Sequence, residues 1–163
     1  MDAIKLLEQQ HHEVEELFKK VDKASSANVR LHLFEQIGDA LAVHCTIEEK
    51  IFYPAVFAAK TKDILLEATE EHLGAKRLIA DLLALAPTEE HYKAKLTVLK
   101  EQIFHHVDEE RKELFPKARK LLDKDELATL GEKMEAMADK IKSTKKAPRM
   151  GVPAETKRAA AVH

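Results

Sequence analysis

One pattern dominates the chain: apolar residues recur at spacings of three and four, which is the period of an amphipathic helix. In the first such stretch the apolar stripe runs from Ile4 through Leu7 and Val14 to Val21. The pattern predicts five helices. The first covers roughly residues 2–23, and the second runs from the polar turn at 24–28 to about Tyr53. The third lies between residues 61–63 and 86–88, the fourth runs from about Glu89 to Pro116, and the fifth covers residues 124–141. The pattern therefore predicts an all-α fold.

Prolines and short polar connections predict how these helices are arranged. Pro54 should kink or end the second helix, and the fourth is expected to stop before Pro116. Short connections favour antiparallel neighbours, so we expect an up-down-up-down four-helix bundle over residues 1–122. Residues 123–142 should form an additional helix that packs on its outside. Residues 143–163 mix Lys, Arg, Pro and Ala without an apolar period, which predicts a disordered tail.

Composition agrees with a helical protein and excludes several classes of function. Only 4 glycines and 5 prolines occur in the 163 residues, as is typical of a mostly helical chain. The net charge is -2 and the signs are mixed along the chain, so no basic face for nucleic acid is evident. No apolar stretch approaches the ~20 residues needed to cross a bilayer. We expect a soluble, cytoplasmic protein that binds neither nucleic acid nor a membrane.

The 9 histidines are the unusual feature of the composition, and four of them lie on apolar stripes. Residues three or four apart share a helix face, so each histidine can be compared with its apolar neighbours. His11 lies between Leu7 and Val14, His44 between Leu41 and Ile47, His72 between Ala68 and Ala75, and His106 follows Ile103. The pattern predicts one inward-facing histidine on each of the four bundle helices.

Two of these histidines are followed four residues later by a glutamate, in the pairs His44 with Glu48 and His106 with Glu110. This spacing places both side chains of a pair on one face of the helix. A buried polar group without a partner costs roughly 2–7 kcal/mol and a buried carboxylate costs more, so six such groups need a strong common partner. Metal cations would supply it, because imidazole suits Fe, Zn or Cu and carboxylates can bridge two ions.

The same motif occurs twice in the chain. His44-x3-Glu48-x5-Pro54 matches His106-x3-Glu110-x5-Pro116 at a shift of 62 residues, and a shift of 61 places His11 on His72. This alignment favours His11 over His12, His106 over His105 and Glu110 over Glu109, and Glu109 is kept as the alternative to Glu110. It predicts two half-sites, as a dinuclear metal centre requires.

These residues resemble the hemerythrin-like, or HHE cation-binding, family over roughly residues 2–122. The resemblance rests on His11 with Val14, Leu17 and Phe18, on residues 44–49 (HCTIEE) with Tyr53-Pro54, on Glu71-His72, and on residues 106–110 (HVDEE) with Leu114-Phe115-Pro116. It implies a non-haem di-iron centre, with two Fe ions joined by an oxo or hydroxo bridge and with both glutamates as bridging ligands. The predicted metal ligands are His11, His44, Glu48, His72, His106 and Glu110. The family also implies roles in oxygen binding, in iron or oxygen sensing, or in reactions with peroxide or nitric oxide.

The chain departs from the oxygen-carrying hemerythrins at two ligand positions. Their third helix has a second histidine where this chain has Lys76, and their last motif is His-x4-Asp, which here would place Arg111 at the ligand position. The open coordination positions favour reaction with a small oxidant such as O2, H2O2 or NO, including peroxide decomposition, over reversible oxygen carriage. The alternative is a non-enzymatic iron or oxygen sensor or a metal-storage module. Structural zinc fits the ligand types less well, because such sites are usually mononuclear and closed.

The remaining candidate residues are interpreted as packing or surface groups. Cys45 lies about 100° off the apolar stripe and is expected to pack as a small residue. Glu49, Glu109 and Glu113 are expected on solvated faces, although Glu49 or Glu109 could accept a hydrogen bond from a ligand imidazole. Tyr53 could supply a phenolate only if Pro54 bends the chain, because on a regular helix it points about 180° away from His44.

Overall fold

The computed structural model describes residues 1–144 and 158–161, and its described residues are largely helical. The helices are α1 (Ala3–Lys23), α2 (Ala27–Ile47), α3 (Tyr53–Ala55), α4 (Lys62–Ala84), α5 (Glu90–Glu109), α6 (Phe115–Leu121) and α7 (Lys124–Ser143). Two π-helical turns, Glu48–Phe52 and Glu110–Leu114, join α2 to α3 and α5 to α6. The predicted all-α fold is confirmed. Apart from residues 143, 144 and 158–161, the predicted tail lies outside the described residues.

Side-chain caps explain where three of the helices begin. The Asp2 carboxylate accepts a hydrogen bond from the Lys5 N–H at 2.8 Å at the start of α1. In the polar turn before α2, the Ser26 hydroxyl accepts one from the Val29 N–H at 3.2 Å. Before α7, Asp123 and Glu126 form a reciprocal capping box with two hydrogen bonds of 2.8 Å. Each cap satisfies a backbone N–H that has no partner within its own helix.

Each π-helical turn ends two residues before a proline. The N–H of Tyr53 donates to the Glu48 carbonyl oxygen, five residues back, before Pro54. The N–H of Phe115 donates to the Glu110 carbonyl oxygen in the same way, before Pro116. Proline cannot donate a backbone hydrogen bond, and the wider turn accommodates this loss without breaking the helical path. The fourth helical segment therefore continues to Leu121, further than the sequence pattern predicted.

Buried apolar residues form two clusters along the bundle, and their positions fix the direction of each helix. One cluster combines the first half of α1 and of α4 with the end of α2 and with α3, α6 and α7. The other combines the second halves of α1 and α4 with residues 34–41 of α2 and residues 92–107 of α5. Helices α1 and α4 therefore run in one direction and α2 and α5 in the other, which is the predicted up-down-up-down arrangement. The four stripe histidines lie between the two clusters.

Helix α7 packs against α1 and α2, outside the four-helix core. The approach is closest at Gly131, where a Cβ atom would lie 2.9 Å from the backbone nitrogen of Ala3 and would also collide with the Met1 carbonyl oxygen. Glycine thus allows α7 to lie directly on the start of α1. Among the described residues, no helix combines the length and the apolar content needed to span a membrane.

Candidate metal centre

The structure brings together all six residues that the sequence predicted as metal ligands. The four histidines come from four different helices, and the two glutamates are the first residues of the two π-helical turns. The set comprises His11 on α1, His44 on α2, His72 on α4, His106 on α5, Glu48 and Glu110. None of the six is more than 4% exposed.

The histidines form two pairs, each with its ring nitrogens facing one another. His11 Nε2 lies 3.2 Å from His44 Nε2, which joins α1 to α2. His72 Nε2 lies 3.2 Å from His106 Nε2, which joins α4 to α5. We call these the α1/α2 pair and the α4/α5 pair.

Both carboxylates lie between the two histidine pairs. Glu48 Oε1 is 3.1 Å from His44 Nε2, and its Oε2 is 3.0 Å from His72 Nε2. Glu110 Oε1 is 3.2 Å from His11 Nε2 and 3.1 Å from His106 Nε2. Each glutamate thus contacts one histidine of each pair, which is the position that a bridging ligand needs.

The donor atoms fit a pair of metal cations. Neighbouring ligands on one ion, at roughly 2.1 Å from it, lie about 3.0–3.4 Å from each other, and the distances within the centre fall in this range. Glu48 Oε1 and Glu110 Oε1 are buried without a hydrogen-bond donor among the described residues. Two groups of ligand atoms share Glu48: one combines it with His11, His44 and Glu110, the other with His72 and His106. A cation in each group would compensate the buried oxygens.

Tyr53 belongs to this centre, which a regular helix would not allow. Its hydroxyl lies 3.0 Å from Glu48 Oε2, 2.9 Å from Glu110 Oε2 and 3.3 Å from His72 Nε2. The π-helical turn after Glu48 holds an additional residue and so rotates Tyr53 away from the direction predicted by regular spacing. Burial, followed by the charges of Glu110 and Glu48, raises the pKa of Tyr53 well above 10.0. The side chain therefore holds its proton in the metal-free protein.

The repeat extends to the aromatic residues around the histidines. The Tyr53 ring stacks on the His72 imidazole, with ring centroids 5.5 Å apart. Phe115, the counterpart of Tyr53 in the second motif, stacks on His11 at 5.8 Å. Each aromatic ring thus covers a histidine from the other half of the chain, but only one of the two rings has a hydroxyl.

Three of the four histidines donate a hydrogen bond from their outer nitrogen, Nδ1. His44 donates to Gln10 Oε1 at 2.7 Å, His72 to Glu49 Oε1 at 3.2 Å and His106 to Glu71 Oε1 at 2.9 Å. These bonds direct the Nε2 lone pairs into the centre and fix the ring orientation. The predicted solvated position of Glu49 is wrong and its alternative role as an imidazole partner is correct. Gln10 and Glu71 were not predicted, since both lie next to a ligand histidine in sequence but accept from the histidine of another helix.

The groups around the α4/α5 pair favour the protonated, positively charged form of its two imidazoles. Burial lowers the pKa of His72, but interactions with Cys45 and Glu48 outweigh this and raise it well above 6.5. For His106, burial also acts downwards, and the charge of Glu110 raises its pKa well above 6.5. In the metal-free protein these imidazoles therefore take up protons, which a binding metal must displace.

The two glutamates stay ionised despite their burial. Burial raises the pKa of Glu48, but the charge of His44 and the adjacent imidazoles of His106 and His72 outweigh it and hold the pKa well below 4.5. For Glu110, burial and repulsion from Glu48 act upwards, yet His106 and His11 hold its pKa below 4.5. Two buried carboxylates thus remain available to cations.

Lys76 and Arg111, which occupy the two positions where the oxygen-carrying hemerythrins have metal ligands, do not lie among the six candidate ligands. Lys76 is buried, and its ammonium group forms an ion pair with both Glu49 oxygens at 2.8 and 2.9 Å. Arg111 extends to Glu15 Oε1 at 2.9 Å on the outside of the bundle. Cys45 is buried, as its packing role predicts, but its thiol also lines the cavity of the centre.

The cavity beside the imidazoles is small. Its volume is about 10 Å³, enough for the centre of one water-sized molecule, and its walls include the four histidines, Cys45 and apolar residues of α1, α2 and α5. The neighbouring histidines His12 and His105 are exposed. His105 lies at the surface with Glu109, 3.0 Å away, so the choices of His11 and His106 agree with burial.

Comparison with known proteins shows the same domain in other chains. The family model described as the hemerythrin HHE cation-binding domain matches residues 2–118. The crystal structure of an HHE cation-binding domain-containing protein from Mycobacterium kansasii superposes with a TM-score of 0.78 at 24% identity, covering 93% of this chain and 99% of the other. This likeness confirms the fold.

Two curated relatives differ in length. An uncharacterized protein of Mycobacterium tuberculosis is 27% identical over 146 residues, which are 88% of this chain and 89% of the relative. A protein named DNA nickase from Nostoc sp. is 24% identical over 141 residues, 86% of this chain but only 40% of the nickase. The chain thus spans less than half of that longer relative.

Proposed function

Since the chain belongs to the hemerythrin HHE cation-binding domain family, we propose that its metal centre holds two iron ions and reacts with a small oxidant such as O2, H2O2 or NO. Metal binding itself follows from the family and from the clusters of histidine and glutamate. The identity of the metal, the number of ions and the oxidant are the proposal. Peroxide decomposition is the activity that we favour.

The observation that carries the proposal is the position of the two carboxylates. Glu48 and Glu110 each lie within 3.2 Å of an imidazole from both histidine pairs. Two imidazoles and shared carboxylate oxygens around each position form a mixed nitrogen and oxygen donor set, of the kind that non-haem iron uses when it keeps positions open for a reactant. Iron bound there would pass electrons from one peroxide molecule to another, so that two H2O2 would give two H2O and one O2.

Missing ligands favour turnover over reversible oxygen carriage. Lys76 is held by Glu49, and Arg111 lies with Glu15 outside the bundle, so neither position adds a protein ligand to the six candidates. The cavity beside the imidazoles has room for the centre of one water-sized molecule. This size favours a reactant of few atoms, for which the protein would leave coordination positions open.

Tyr53 gives the centre a proton donor. Its hydroxyl lies within 3.0 Å of one oxygen of each carboxylate, and its raised pKa keeps it protonated. Reduction of peroxide to water consumes protons, and a general acid within hydrogen-bond distance of the reacting oxygen accelerates such a step. Tyr53 is placed to hold and return a proton between the two carboxylates.

A non-enzymatic sensor of iron or oxygen is the second candidate. The small size of the cavity favours it, because restricted access lowers turnover. The packing of α7 beside the first π-helical turn also offers a route by which metal loading could alter the outer surface. A sensor would bind iron tightly and consume peroxide at no more than the rate of free iron.

Metal analysis with an absorption spectrum of protein purified in air tests the proposal. We expect two irons per chain and oxo-bridge bands in the near ultraviolet, followed by peroxide consumption that disappears when the metal is removed and returns when iron is added back. One colourless zinc per chain, or no metal, would contradict both candidates. Two irons without peroxide consumption would favour the sensor.

A further inference from the structure

The outer partners of the α4/α5 pair are both carboxylates. His72 donates from Nδ1 to Glu49, and His106 donates from Nδ1 to Glu71. An ionised acceptor behind a ligand imidazole raises the basicity of the nitrogen that faces the metal. Both imidazoles of this pair are thus strengthened as donors.

The outer partners of the α1/α2 pair carry no charge. His44 donates from Nδ1 to the amide oxygen of Gln10 at 2.7 Å. His11 Nδ1 is buried without a hydrogen-bond partner among the described residues, and its ring stacks on Phe115. These imidazoles are held in place, but no anion stands behind them.

The outer partners of the two histidine pairs still differ in charge when the charged groups next to those partners are included. Lys76 neutralises one of the two carboxylates, Glu49, which leaves one net negative charge behind the α4/α5 pair and none behind the α1/α2 pair. The remaining anion, Glu71, lies 3.5 Å from the exposed His105. Glu48 belongs to both groups of ligand atoms, and Glu110 Oε1 lies 3.2 Å from His11 Nε2 and 3.1 Å from His106 Nε2, so the carboxylates inside the centre contact both pairs.

We propose that the two metal positions are unequal, and that the position held by His72 and His106 binds a divalent cation more tightly than the position held by His11 and His44. This inference rests on the proposed function in one respect, namely that the centre holds two ions. Glu71 and Gln10 then act as positioning residues that set the order of loading. The tightly held ion fills first, and the ion of the α1/α2 pair is the one that exchanges.

Titration of the metal-stripped protein with Co²⁺ tests the inference without measuring activity. Binding is followed by calorimetry and by the visible absorption of the bound ion. We expect two steps, each of one ion per chain, with affinities that differ about 10–100-fold, the range that an outer carboxylate typically contributes.

Three variants assign the steps to the two positions. Glu71→Gln should weaken the tight step about 10–100-fold and leave the other unchanged. Gln10→Glu should strengthen the weak step and bring the two affinities together. Glu70→Gln is the matched control, because it removes the same charge at the preceding position, where the side chain is exposed, and both affinities should stay as in the unaltered chain.

The outcomes separate this inference from the proposed function. Two ions that bind with equal affinity, or a tight step that responds to Gln10→Glu and not to Glu71→Gln, would overturn the asymmetry and leave a two-metal centre intact. Saturation below two ions per chain would overturn the two-metal proposal and the asymmetry with it. A loss of affinity in Glu71→Gln alone could reflect misfolding. A gain of affinity in Gln10→Glu cannot, so the two variants together test the effect of the outer charge.

Discussion

The hydroxyl of Tyr53 lies 2.9 Å from Glu110 Oε2, although 57 positions separate the two residues in the chain. The same hydroxyl lies 3.0 Å from Glu48 Oε2 on the neighbouring turn. A hydroxyl has one hydrogen, so the two carboxylates share a single donor. This contact ties the two halves of the repeated motif together at the centre of the bundle.

Removal of this hydroxyl should affect both stability and reactivity. In Tyr53→Phe, two buried carboxylate oxygens lose their donor, and we expect the metal-free protein to lose about 1–3 kcal/mol of unfolding free energy. The six candidate ligands remain, so two ions should still bind, while peroxide consumption should fall and lose its dependence on a protein acid. Denaturant unfolding, metal analysis and a peroxide assay give the three measurements.

Tyr92→Phe is the control for that variant. The Tyr92 hydroxyl is also buried, but it has no hydrogen-bond partner among the described residues and lies in the apolar cluster away from the centre. Its removal should leave stability the same or slightly higher and should not change the metal content. Equal effects of the two substitutions would show that Tyr53 has only a packing role.

Neighbouring residues of the same type test the ligand assignment on α5. We expect His106→Ala and Glu110→Gln each to lower the metal content below two ions per chain, because both side chains are buried in the centre. His105→Ala and Glu109→Gln should bind metal as the unaltered chain does, since these side chains are 66% and 32% exposed. Metal loss in Glu109→Gln with full loading of Glu110→Gln would reverse the assignment.

The metal-free protein should be most stable in mildly acidic solution. The pKa values of His72 and His106 are raised above 6.5, so their stabilising contribution is complete below about pH 6.5 and is lost as the pH rises through the folded-state pKa. The pKa values of Glu48 and Glu110 are lowered below 4.5, so their contribution is complete above about pH 4.5 and is lost as the pH falls further.

Thermal unfolding of the metal-stripped protein between about pH 4 and pH 9 measures this dependence. We expect the highest Tm between about pH 4.5 and 6.5, and a decrease towards alkaline pH. Metal affinity should change in the opposite direction and rise with pH, because binding displaces protons from the imidazoles. A Tm that is constant from acidic to alkaline pH would contradict the proposed protonation of the empty centre.

The two helical glycines of α4 and α7 should respond oppositely to alanine. At Gly131 a Cβ atom would meet the backbone of Met1, Asp2 and Ala3, so Gly131→Ala should separate α7 from α1 and cost about 1–3 kcal/mol. At Gly74 the nearest atom is Gln102 Oε1, 3.2 Å away at the end of a flexible side chain. Gly74→Ala should therefore be neutral or stabilising by up to about 1 kcal/mol, through helix propensity alone.

Metal content provides the control for both glycine variants. The atoms that a Cβ at either glycine would meet belong to none of the six candidate ligands, so both proteins should load metal fully at low temperature. Destabilisation of Gly131→Ala that is accompanied by metal loss would show that α7 supports the centre as well as the fold.

The sequence predicted the centre to the extent that regular helical spacing holds. His11 and His44 share a face with apolar residues three or four positions away, and burial follows directly from this period. The repeat then distinguished His106 from His105. Positions along a single helix are determined by local geometry, and this geometry is visible in one sequence.

Regular helical spacing could not predict residues that follow a π-helical turn or residues that contact a neighbouring helix. Tyr53 follows a π-helical turn, so its direction depends on one additional residue per turn that the spacing rule ignores. Gln10 and Glu71 depend on how neighbouring helices pack, because each contacts a histidine of another helix. The sequence contains a signal for the first case alone: a proline follows each His-x3-Glu motif by six residues.

The unequal aromatic rings over His72 and His11 have a consequence for molecules with two identical ends. In a fully two-fold site, both atoms of O2 or both oxygens of H2O2 would meet the same surroundings. Here a phenol ring stacks on His72 and a bare phenyl ring stacks on His11. The two identical ends of a bound reactant would therefore meet different surroundings, and only the end near Tyr53 would meet an O–H group.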